Sequence, residues 1–153
     1  MSTTPTVKTY EVEADCTGSK QSTVTVRDLA LEVDVPETSG GENHGPTAVE
    51  YLLASLAGCF HLTGTHVAAD MGLDLTVRSV SVSGDLDTTT FLTGEGHRAG
   101  YGRIRVSVDV ETTATAKELD EWRRETERRN PVLDTIVRPT PVEFDVTVRL
   151  DRD

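Results

Sequence analysis

Lysine is scarce in this chain. Lys8, Lys20 and Lys117 are its only lysines, and fifteen basic residues stand against twenty-six acids, for a formal net charge of −11. A surface so short of cations cannot neutralise phosphates, which excludes nucleic acid and anionic membranes as partners. Acid excess with little lysine fits either a salt-adapted surface held in solution by hydrated carboxylates or an ordinary acidic one. Cysteine is equally sparse. Cys16 and Cys59 are too few for a disulfide framework, so each must be judged by its surroundings. Aromatics make up 5% of the 153 residues and apolar residues 36%, enough for a modest core in one domain or one protomer of an obligate dimer. No apolar run approaches the roughly eighteen residues of a spanning helix. The opening stretch MSTTPTVKTYEVEA has neither the basic nor the apolar region of a secretory signal, so the expected setting is soluble and cytoplasmic.

What the chain does have is clear periodicity. Tyr10, Val12 and Ala14, then Val24 and Val26, then Leu29, Leu31, Val33 and Val35 alternate with polar residues, predicting three short antiparallel strands. Turns are expected at Thr17 to Lys20 and at Arg27-Asp28. Pro36 closes this meander, and Glu37 to Pro46 is a loop in which Gly40, Gly41 and Gly45 allow conformations denied to other residues. From Thr47 to Met71 the apolar positions recur at helical spacing, predicting a helix about 37 Å long with Gly72 as its C-cap. Being nearly apolar all round through Phe60, it needs cover on most sides, from the sheet and from a second subunit.

A second β section follows. Leu75 and Val77 fall out of phase with Val80 and Val82, which predicts a bulge, and Ile104 to Val110 alternate cleanly. Thr115-Ala-Lys-Glu118 is a capping-box signature for a helix that ends before Pro131. Val142, Phe144, Val146, Val148 and Leu150 predict a last strand. The order gives an α+β protein.

Two segments carry a family resemblance. Gly40 to Phe60 (GGENHGPTAVEYLLASLAGCF) is similar to the central signature of the OsmC/Ohr superfamily, and Arg129 to Ile136 (RNPVLDTI) resembles its second motif. The resemblance implies one OsmC-like domain over 1–153, with a meander over 1–36, a central helix over 47–71 and a C-terminal α+β part over 73–153. It also implies an intertwined homodimer with a thiol site at the interface. In the peroxidase branches of that family a cysteine on the long helix attacks an organic hydroperoxide, an upstream glutamate and an early-loop arginine activate it, and a later cysteine resolves the product.

Carried across position by position, Cys59 matches the attacking cysteine. Val49 stands where the glutamate is expected, with Glu50 beside it, Asn130 stands at the resolving position, and Lys20 or Arg27 is nearest to the arginine. Asn130 equally suits a capping role before Pro131. A reactive thiolate needs a cation or hydrogen-bond donors, and Cys59 lies too deep in its helix for the N-terminal dipole to serve. Thr63 shares its face, while His66 is about 10 Å further along the axis. Candidate activators are therefore Glu50 and Lys20, with Arg27, His44 and the Arg98 segment. Without a second cysteine at 130, an external thiol, or Cys16, would have to regenerate Cys59.

The expected function is thiol-dependent reduction or sensing of organic hydroperoxides through Cys59. The alternative is a catalytically silent dimer that binds a small apolar ligand. His44, His61, His66 and His97 show no metal-ligand spacing, so neither metal nor cofactor is expected. Arg123, Arg124, Arg128 and Arg129 interleave with glutamates as a solvated, ion-paired helix face.

Overall fold

The computed structural model describes residues 6–16 and 20–149. The chain divides into two compact units, through Ala54 and from Ser55, with the boundary inside the long helix. In the first unit β1 (Glu13–Cys16), β2 (Ser22–Val26) and β3 (Leu29–Val33) form an antiparallel meander in the order β1-β2-β3. Arg27 adopts a left-handed φ of 56° in the two-residue turn joining β2 to β3. Of the expected first turn, residues 17–19 lie outside the described ones. Pairing starts at Glu13 rather than at Tyr10, because among the described residues no strand faces Tyr10 and Val12, both of which are exposed.

Beyond β3 the backbone turns into a short 3-10 turn, Glu37–Ser39, and the glycine loop. Asp34 organises that loop. Its side chain is 1% exposed, and its carboxylate accepts the N–H groups of Val35 (2.7 Å), Glu42 (3.0 Å) and His44 (3.0 Å). A Cβ at Gly41 would lie 2.1 Å from the Val35 carbonyl oxygen, so the close approach admits only glycine. Tyr51, in the first turn of α1 (Ala48–Asp70), donates its hydroxyl to the Glu32 carbonyl at 2.9 Å and ties the helix start to β3.

The second unit pairs β4 (Leu75–Asp85) with β5 (Arg103–Thr112) in an antiparallel hairpin whose connection holds α2 (Thr89–Thr93). The register slips between Val77 and Ser79, the bulge that the phase shift in the sequence predicts. Val67 and Ala68 of α1 and Trp122 of α3 (Ala116–Arg129) form the buried centre, with Met71, Leu73, Leu75, Val77, Val108 and Val110 packed around them. Gly64 explains how Trp122 gets so close. A Cβ there would sit 2.9 Å from the indole ring, and the indole N–H donates to the Gly64 carbonyl at 2.8 Å.

The C-terminal end of α1 and the N-terminal end of α3 are capped as the sequence predicts. Gly72 takes φ 65°, its N–H bonds Ala69 and that of Leu73 bonds Ala68, a Schellman ending. Thr115 and Glu118 form the reciprocal capping box. As expected, α3 ends before Pro131, at Arg129, with Asn130 extended. A further helix, α4 (Pro131–Val137), begins there, because proline is well suited to a first helical position.

Apolar residues are left open on α1 and in the segment 142–148, among other places. The helix α1 buries the stripe Leu56, Phe60, Thr63, Gly64, Val67 and Ala68, while Leu62 is 71% exposed. By length and composition α1 could cross a membrane, yet its stripe packs on Trp122 as a core helix does. The expected last strand is absent over 142–149, and Leu150 lies outside the described residues. Phe144 there is 90% exposed, with Val142, Val146 and Val148 also open. Alternation marks these residues as strand formers, but a strand exists only against a partner.

Candidate functional site

Cys59 sits midway along α1, eleven residues past Ala48, or about 16 Å from the helix start. Its thiol is free and half-buried, beside the buried side chain of Phe60. Four residues on, one helical turn away, Thr63 is buried and presents its hydroxyl 3.9 Å from the Cys59 sulfur. That spacing lets the hydroxyl donate to a thiolate, which is the one stabilising group the helix itself provides.

The proposed activators hold other posts. In the first unit Glu50 accepts both the N–H (2.7 Å) and the hydroxyl (2.8 Å) of Thr47, closing the start of α1. These bonds, the backbone one first, hold its carboxyl below the ordinary value. Lys20 donates through Nζ to the Ser39 carbonyl and fastens the glycine loop. His44 lies 3.2 Å from the Gln21 amide and 3.4 Å from Glu42. Cys16 is exposed, with its sulfur 3.9 Å from the Ala14 carbonyl.

In the second unit His66 is 3.8 Å from Asp70, whose carboxylate also takes a 2.7 Å bond from Arg129. The Arg129 bond is the main reason that the Asp70 carboxyl lies below its ordinary value. Asn130 is 0% exposed and accepts the Leu133 N–H at 2.9 Å, so it caps α4 as its place before proline suggests. Among the described residues its Nδ2 has no partner, nor has Oγ1 of Thr126 one turn earlier. Three arginines of α3 pair within the helix, Arg123 with Asp120 and Glu127, Arg124 with Asp120 and Arg128 with Glu125, while Arg129 reaches Asp70 of α1. No cluster of potential metal ligands occurs among the described residues.

Asp34 escaped the sequence reading. The N–H of His44, followed by those of Val35 and Glu42, keeps its carboxyl below the ordinary value against the cost of burial. An aspartate between a strand and a glycine-rich loop is the only trace it leaves in the sequence.

The OsmC-like protein family matches residues 39–145. Among solved structures, an OsmC-like protein from Mycoplasma pneumoniae is 19% identical with a TM-score of 0.73, over 85% of this chain and 88% of that one. An organic hydroperoxide resistance protein OsmC from Legionella pneumophila is 20% identical with a TM-score of 0.59, over 86% and 91%. The organic hydroperoxide resistance protein OhrB of Bacillus subtilis is 21% identical with a TM-score of 0.53, over 83% and 89%. Comparison with curated proteins gives no match. Likeness at these identities establishes the fold.

Proposed function

Because this chain belongs to the OsmC-like family, we propose that it serves oxidative-stress defence as a homodimer in which Cys59 reduces organic hydroperoxides. The observation that carries this reading is the half-buried Cys59 thiol on the core helix, with the Thr63 hydroxyl 3.9 Å away. In the step envisaged, the thiolate sulfur attacks the terminal peroxide oxygen and the O–O bond breaks. The alkoxide takes up a proton and leaves as the alcohol, and the sulfur becomes a sulfenic acid. Asn130 offers no second sulfur, so an external thiol condenses with the sulfenic acid and releases water. A second thiol then frees Cys59 and leaves with the first as a disulfide. Glu50 and Lys20 remain the proposed supporting charges, and within the first unit they bond Thr47 and Ser39.

The homodimer reading rests on the open apolar residues of 142–148 and on Leu62 of α1, which a second copy would cover. A single OsmC-like domain in the cytoplasm completes the proposal. Turnover of cumene hydroperoxide with a dithiol reductant is the test. Wild type should consume it and Cys59→Ser should not; equal rates would sink the enzyme reading.

A second reading has specific support. Val49 stands at the family's glutamate position, Asn130 is committed to capping, and Glu50 and Lys20 are engaged elsewhere. These favour a silent dimer that binds a small apolar ligand. In that case cumyl alcohol would bind while the hydroperoxide survives.

A further inference from the structure

We draw no further inference here: the strongest candidate, the apolar cavity of about 340 Å³ walled by Phe60, Val106, Val108, Val110, Leu119 and Trp122, carries none, because the unpartnered Thr126 hydroxyl beside it is sealed from solvent and nothing in the structure shows what covers the apolar wall.

Discussion

In the proposed reaction, the group within its own helix that would support a Cys59 thiolate is the Thr63 hydroxyl, 3.9 Å from the sulfur. If Thr63 donates to the thiolate, replacing it by the near-isosteric valine removes the donor and leaves the packing largely in place. Thr63→Val should slow alkylation of Cys59 by iodoacetamide near neutral pH by roughly threefold to tenfold, the size of one lost hydrogen bond. An unchanged rate would show that Thr63 only packs there. Asp34 makes a second prediction at this scale. Asp34→Ala leaves three backbone N–H groups without their acceptor, so the amides of Glu42 and His44 should lose hydrogen-exchange protection by roughly tenfold or more. The place of Cys59 on the long helix and the Asn130 cap could be read from the sequence, since one follows from helical periodicity and the other from the residue before proline. Asp34 could not, because its role depends on backbone groups eight and ten residues away that only the folded loop turns toward it.

At the level of elements, α3 is held to α1 by Trp122. Trp122→Phe keeps most of the apolar volume but loses the bond to the Gly64 carbonyl, and should cost about 1 kcal/mol in a denaturant titration. Trp122→Ala should cost about 3–5 kcal/mol, because it also empties the centre of the second unit. If the two substitutions cost the same, the account of this contact is wrong. Long periodic elements were the most legible: α1 runs from Ala48 to Asp70 against an expected 47–71, and the bulge near Arg78 shows as a slip in phase. Pro131 marked the end of α3 correctly, since that helix stops at Arg129, but gave no sign that a further helix begins at the proline itself. The segment 142–149 reads as strand from alternation, but pairing is a property of two segments and alternation reports only one.

For the whole molecule, charge sets the response to pH. Asp34, Glu50, Asp70 and Asp85 all lie below their ordinary values, 3.8 for aspartate and 4.5 for glutamate. In the acid range the unfolded chain therefore binds more protons than the folded one, and stability rises with pH. This contribution is fully present above the ordinary values and is lost as pH falls through the lower folded ones. Melting temperatures measured from pH 6 downward should fall most steeply below about pH 4; a flat profile there would contradict the assignment. The excess of carboxylates leads to the expectation of no phosphate-bearing partner, yet composition is silent about which apolar residues stay open, and that required the fold. The central claim is that Cys59 is a peroxide-reducing thiol. Its most direct test adds one equivalent of cumene hydroperoxide per chain without reductant, then follows cumyl alcohol and a dimedone-trapped sulfenate by mass spectrometry. The account predicts nearly one equivalent of alcohol with the adduct on Cys59, and neither in Cys59→Ser. Intact hydroperoxide with an unmodified Cys59 would contradict it.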